Sequence, residues 1–336
     1  MSTTKSWPST FSAHGQVRYY SLARYAMIEA LSLAGVGNGS CVLLPEFLCR
    51  DMLAPLHLLG ARVCWYPVAS NLQAATNPAD WPKADVVLAV NYFGFPQDLE
   101  SFRIYEARTG ALIIEDNAHG YLSRDQTGNL LGCRTGLGLF SFRKTLRIPD
   151  GGALWVDESF SNFKLSPQLP FDGIGINPAQ LIKARLRALP VFGELVYRLA
   201  INTVRRLRKL QAESESPLVN TDTENIIHEL PNPWVGLLPA IGNCDEFIEV
   251  GRRRVAYAQC VKVGERFGAL PVFLNLPEHC APYAYAFRGG ASVQDNMRRY
   301  AKAHGFDFVS WPDLPVEIIH RAPEHYKNIF LVNFLW

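Results

Sequence analysis

The chain has 336 residues, 48% of them hydrophobic and 19% charged, which supplies apolar material for a large core in two lobes and excludes a disordered tail or a fibre. Thirty-three basic residues stand against 31 acidic ones, a formal net charge of +2, so no overall basic field marks nucleic acid as the main partner. Seven cysteines without a C-x-x-C pair predict reduced thiols, and the opening "MSTTKSWPSTFSAHG" lacks the continuous apolar core of a secretory signal; both point to a cytoplasmic protein.

Residues 1–20 read as an N-terminal arm. The first helix, "SLARYAMIEALSLAG", begins at Ser21 as a candidate cap and ends at Gly35. The "GVGNGS" after it precedes a strand rather than joining a strand to a helix, which excludes a dinucleotide loop. From Cys41 to Val156 the runs "CVLLPEF", "VCWYPV", "DVVLAVNYFG", "ALIIEDNA", "LGLFSF" and "ALWV" read as buried strands, short, apolar and bounded by Pro, Gly or Asp. Two helical segments between them, "CRDMLAPLHLLG" and "DLESFRIYEARTG", each end at a glycine suited to a C-terminal cap. This alternation predicts an α/β fold, a large, mostly parallel sheet covered by helices.

Beyond Asp157 the strand periodicity is lost. The stretch "ALPVFGELVYRLAINTV" is interrupted by Glu194 and Arg198 and is too short for a membrane span. With the "RRLRKL" that follows, it predicts a solvated helix or dimer contact, with peripheral membrane contact through residues 183–210 as the alternative. A polar linker, "QAESESPLVNTDTEN", closes the large domain, residues 21–232. A smaller α+β domain over residues 233–336 is predicted from the helical "DEFIEVGRRRVAYAQCVKVGERFG" and from "LPVFLNL", "APYAYAF", "NMRRYAKAHG" and "NIFLVNFLW".

Chemistry concentrates in three places that fall at strand carboxyl ends or a helix start, where open α/β sheets collect ligands. Asp116 sits in "IIEDNAHG", Ser141 and Lys144 in "SFRKTLRIPDGG", and Ala23, Arg24 and Tyr25 open the first helix. Lys144 is the only lysine between Lys83 and Lys164, in an interval with six arginines. Guanidinium does not shed its proton at usable pH, so a lysine placed here suits chemistry that needs a neutral amine. A carboxylate, an amine and an anion-binding helix terminus together form the set a pyridoxal phosphate enzyme requires: Schiff-base lysine, acid against the pyridinium nitrogen, amides and hydroxyls around the phosphate. Taken singly, each has an ordinary explanation: Asp116 as a turn residue, Ser141 and Lys144 as loop residues before a glycine pair, His119 as a satisfied core or surface histidine.

The segments "LLPEFLCRDMLAPLHLLGARVCWYPV", "AVNYFGFPQDLE", "LIIEDNAHG" and "SFRKTLRIPDGGALWV" resemble, in that order, the DegT/StrS-type nucleotide-sugar aminotransferases, which are fold type I pyridoxal phosphate enzymes. The resemblance implies Lys144 as the Schiff-base residue and proton shuttle, Asp116 as the pyridinium partner, His119 on the ring-oxygen side and Ser141 at the phosphate. Phe47 is taken for the aromatic ring that stacks on the cofactor, although Cys49 falls there by strict spacing. It also implies a homodimer that moves an amino group from an amino-acid donor, glutamate or glutamine, to a nucleotide-linked keto sugar in polysaccharide or related glycan synthesis. Some relatives dehydrate sugars instead and carry histidine in place of the lysine. This chain departs from the family pattern at its first helix, where "LAR" replaces Ser-Gly-Thr, and in the segment from Ser141 to Lys144, two residues shorter than usual. No Asn-Tyr-Arg motif of the kind a partner subunit contributes is recognisable, with only "PNPWVG" near its expected place. These departures keep a non-catalytic descendant that binds a sugar nucleotide or a protein as the alternative reading.

Overall fold

The computed structural model describes residues 15–75, 77–160, 164–176, 224–227 and 230–335. The segment 183–210, read as a basic helix with an alternative membrane role, lies outside the described residues, as does most of the polar linker.

Seven strands build the large sheet: β1 (Gly15–Tyr20), β2 (Cys41–Pro45), β3 (Arg62–Tyr66), β4 (Val86–Val90), β5 (Leu112–Asn117), β6 (Leu137–Ser141) and β7 (Gly152–Asp157). Their order is β1-β7-β6-β5-β4-β2-β3. β3, β2, β4, β5 and β6 pair in parallel, whereas β7 runs against both β6 and β1. Every residue of β2, β4 and β6 is buried, as expected of a sheet covered on both faces, which is why these strands are continuous apolar runs rather than alternating ones. Gly15–Tyr20, inside the segment read as an arm, is an edge strand of this sheet. Cys41 of β2 and Cys64 of the adjacent β3 have Cα atoms 6.6 Å apart and bring their sulfurs together; Cys49, Cys133, Cys244, Cys260 and Cys280 are free.

Helix α1 (Ala23–Leu33) follows β1 and packs on β6 and β7. Short α2 (Ala54–Leu58) follows β2, and α3 (Glu100–Thr109) joins β4 to β5 and ends at Gly110 in the left-handed region, φ +76°, where glycine carries no Cβ penalty. The expected Ser21 cap is corrected. The capping position is Leu22, no side chain caps the helix, and Ser21 is fully buried with its hydroxyl unpartnered. Its carbonyl accepts from the Gly151 amide at 2.7 Å, so residue 21 ties the helix entry to the start of β7 instead.

The smaller lobe has α4 (Leu237–Gly242), the long α5 (Glu246–Phe267), α6 (Ala291–Ala303) and short α7 (Val316–Ile319), around a four-stranded antiparallel sheet. The strands are β8 (Leu270–Pro271), β9 (Ala284–Arg288), β10 (Asp307–Ser310) and β11 (Phe330–Asn333), ordered β10-β11-β9-β8. Asp245 caps α5 by accepting from the Ile248 amide at 3.0 Å. One apolar core runs through both lobes, and Phe95 stacks on Phe273 across the junction with ring centroids 3.8 Å apart. That stack holds the small lobe over the sheet's carboxyl edge.

Candidate active site

The topology brings five chain segments to one edge. β4, β5 and β6 end there, β7 begins there with Gly152 opposite Ser141, and β1 delivers the chain to α1 from the same edge because Tyr20 also pairs with Gly152. A Cβ on Gly152 would fall against the Ala23 nitrogen and the Leu22 carbonyl carbon, so glycine is what lets the start of α1 sit against the sheet. Gly151, at φ +139°, makes the turn before it.

Between that edge and the small lobe lies a cavity of about 260 Å³. Asp116 and His119 line it from the end of β5, Ser141, Arg143 and Lys144 from the end of β6, and Leu22, Ala23 and Arg24 from the start of α1. Leu48, Cys49 and Asp51 form the side after β2, and Tyr283 and Trp311 close it from the small lobe. A larger, more open hollow of about 830 Å³ lies beside Gln73, Gln97 and Arg134. Its lining holds no lysine, cysteine or histidine, and Arg134 is already bound to Glu115 at 2.7 Å. Chemistry therefore belongs to the smaller cavity.

Lys144 closes a one-turn 3-10 segment, Phe142–Lys144, directly after β6. Ser141 ends β6 and Lys144 follows it by one turn of chain, and both line the cavity. The Lys144 Nζ lies 3.0 Å from His119 Nε2. Burial pushes the lysine's pKa down; among its neighbours Arg143 acts in the same direction, while Cys49 and Asp116 oppose it. Asp116 is buried, and its Oδ1 accepts from the Ala118 amide at 2.9 Å. Burial pushes this carboxyl up, against the pull of Lys144. A buried acid facing a buried amine, each shifted by lost hydration, is the pattern of a functional pair. Burial pushes the Cys49 thiol up to about 12, which disfavours the thiolate.

His119 lies between two rings, Tyr283 at 4.9 Å and Phe93 at 5.4 Å between centroids, both near-parallel. Burial holds its pKa well below the ordinary value, with Lys144 and Arg143 adding to the effect, so the folded imidazole stays neutral where an unfolded one takes up a proton. The unfolded chain thus binds more protons below pH about 6.5, and folding stability falls as the pH drops through that value by about 1.4 kcal/mol per unit. Urea titrations at pH 7.5 and 5.5 are expected to show this loss, and His119→Phe, which keeps the ring sandwich, to reduce it.

The expected phosphate end is partly rearranged. The Tyr25 amide donates to the Leu22 carbonyl at 3.1 Å, and Tyr25 does not line the cavity, which leaves the amides of Ala23 and Arg24. No acidic residue occupies the first turn of α1. Arg24 pairs with Asp51 at 2.7 Å. Phe47 is not in the cavity: it is fully buried, with its ring against Tyr92, Trp311 and Tyr326 at 5.0 to 5.5 Å. Cys49, at the position given by strict spacing, lines the cavity instead. Sequence reasoning missed Asp51, Arg143, Tyr283 and Trp311; only Arg143 carried a local signal, its place beside Lys144. Among the described residues no cluster of His, Cys, Asp and Glu is arranged to hold a metal ion, and no helix is long and apolar enough to cross a membrane.

Residues 23–164 match the model of the DegT/DnrJ/EryC1/StrS aminotransferase family. The fold is similar to that of DesI, solved in the presence of its TDP-sugar product, at TM-score 0.61 and 16% identity over 96% of this chain and 76% of that one. A DegT DnrJ EryC1 StrS aminotransferase from Brucella abortus gives TM-score 0.59 at 14% identity, over 95% of this chain and 81% of that one. The E. coli GDP-4-keto-6-deoxy-D-mannose-3-dehydratase with bound hydrated PLP gives 0.57 at 13%, over 97% and 84%. The architecture is similar to that of these solved structures, and the segment that supplies Asp116, His119, Ser141 and Lys144 is the one that matches the model of the DegT/DnrJ/EryC1/StrS aminotransferase family.

Proposed function

We propose that this protein is a pyridoxal phosphate-dependent aminotransferase that transfers an amino group from an amino acid to a keto sugar carried by a nucleotide, in glycan synthesis, and that it works as a cytoplasmic homodimer. The observation that carries the reading is the placement of Lys144 and Asp116 in one cavity whose third side is a helix N-terminus without a cap. These residues fit the cofactor. An amine, an acid and open backbone amides face a space smaller than the roughly 300 Å³ at which ordinary ligand pockets begin, suited to a compact ring and its phosphate arm. The nucleotide part of a substrate would therefore lie at the cavity mouth.

When bound, pyridoxal phosphate supplies an aldehyde and a ring that takes up an electron pair from the substrate. Lys144, with its pKa lowered by burial, keeps a larger neutral fraction near pH 7 than a surface lysine, and so serves both as a nucleophile toward carbonyl carbon and as a carrier of one proton. Asp116 holds a proton at a ring nitrogen opposite. His119, kept neutral, lies within hydrogen-bond distance of the Lys144 amine and limits its positions. Ser141 and the amides of Ala23 and Arg24 supply donors for a phosphate.

Titration of the purified protein with pyridoxal phosphate is expected to give a visible absorbance band, and incubation with glutamate and a panel of nucleotide-linked keto sugars an amino sugar detectable by mass spectrometry. Release of water without amino product would replace the transaminase reading with a dehydratase; no band and no product would reject both. Asp116→Asn is expected to lower turnover about 100-fold or more, since the group that holds the developing charge is lost. The same change should raise the unfolding temperature of the cofactor-free protein, because it removes a buried carboxyl whose ionised form is penalised by lost hydration. Initial-rate assays measure the first effect, and scanning calorimetry of the cofactor-free protein the second.

A further inference from the structure

Arg143, half-buried at the cavity wall, stands apart from the arginines that are tied to carboxylates. Arg18, Arg50, Arg134 and Arg253 each have a carboxylate within 3.2 Å: Glu29, Asp313, Glu115 and Glu249, respectively. Arg143 has no ion pair among the described residues, and its Nε is buried without a hydrogen-bond partner. A half-buried guanidinium with no carboxylate in contact has donors left to offer to an anion.

The acids around it are already engaged. Asp51 is bound to Arg24 at 2.7 Å. Asp150 spends its two oxygens on the backbone amides of Trp234 at 3.1 Å and Ile176 at 3.2 Å. Asp116 holds the Ala118 amide, and the hydroxyl of Tyr283 accepts from Asn333 at 2.7 Å. Arg143 lines the same cavity as Ser141 and the uncapped start of α1, where the residues Leu22, Ala23 and Arg24 offer no hydroxyl. What converges there is one unpaired guanidinium, one serine hydroxyl and two open amides, a donor set for a tetrahedral dianion.

We propose that Arg143 fixes the phosphate of the bound cofactor, its guanidinium taking the place of side-chain hydroxyls at the start of α1, so that this end of the cavity is a site for a phosphate monoester dianion. The identity of that monoester rests on the pyridoxal phosphate reading; the anion site itself does not.

Calorimetric titration of the cofactor-free protein with inorganic phosphate is expected to show one site, weakened at least about tenfold in Arg143→Gln and largely restored in Arg143→Lys, with far-UV circular dichroism unchanged. Pyridoxal, which lacks the phosphate, is expected to lose much less affinity in Arg143→Gln than pyridoxal phosphate does. Equal phosphate affinity in wild type and Arg143→Gln would overturn the proposal, as would a variant that keeps phosphate but loses 2-oxoglutarate, since that outcome assigns Arg143 to a substrate carboxylate. Phosphate binding that depends on Arg143, without any visible band on addition of pyridoxal phosphate, would reject the cofactor and keep the anion site. A normal band with no dependence on Arg143 would do the reverse. Should Arg143→Gln fail to fold, labelling of wild type with phenylglyoxal decides: phosphate should protect the peptide that contains Arg143, and absence of protection overturns the assignment.

Discussion

Lys144→Ala is expected to abolish the visible band formed with pyridoxal phosphate and to lower amino-group transfer by roughly 10⁴-fold, the scale of losing a positioned base and nucleophile together. The variant should still fold. Lys144 is not part of either apolar core cluster, and among the described residues its amine has His119 as its side-chain partner within hydrogen-bond distance. Removing an amine whose charged form is penalised by burial should leave the unfolding temperature of the cofactor-free protein unchanged or higher. The readout is therefore a split: intact circular dichroism and thermal transition, with loss of both absorbance and turnover. Equal spectra and equal turnover in wild type and variant would exclude Lys144 as the reacting group.

The largest effect on stability is expected at a residue without a side chain. Gly152→Ala sets a methyl against the backbone of Leu22 and Ala23, and backbone cannot step aside as a flexible side chain can. The two ways to relieve the clash are to lift α1 from the sheet or to break the pairing of Gly152 with Ser141 and Tyr20. Either route is expected to cost about 3 kcal/mol, measured as a lower urea midpoint. Both also move the amides of Ala23 and Arg24 away from Ser141, so phosphate affinity should fall in the fraction that still folds. A substitution two strands from Asp116 would thus weaken the cavity through geometry alone. Urea and phosphate titrations of the same preparation test the pair of effects, and a variant with unchanged midpoint would sink the argument.

The large sheet was legible because its parallel strands are buried on both faces and so write themselves as unbroken apolar runs between Pro, Gly and Asp. β1 was not: "GQVRYY" is polar at its start and aromatic at its end, and its membership depends on pairing with Gly152–Asp157 far along the chain. The glycine that ends α3 was legible from local chemistry, whereas the Ser21 cap was misread because the Ser21 carbonyl is taken by Gly151. At the site, the acid, the histidine, the serine and the amine each end a strand or follow one directly, so order along the chain was enough to group them. Phe47 was preferred over Cys49 on chemical type, yet its aromatic character serves a cluster of three other rings rather than the cavity. Tyr283 and Trp311 left no local trace, since nothing near them in sequence marks the cavity they close.

That closure has a consequence for biogenesis. When a ribosome has released residues 23–164, the growing chain already carries the acid, the histidine and the amine, but the roof that Tyr283 and Trp311 provide has not been synthesised. His119 then lacks the ring that shields one of its faces, and water reaches Lys144 freely. The cavity around the amine is complete only once the small lobe has folded over it.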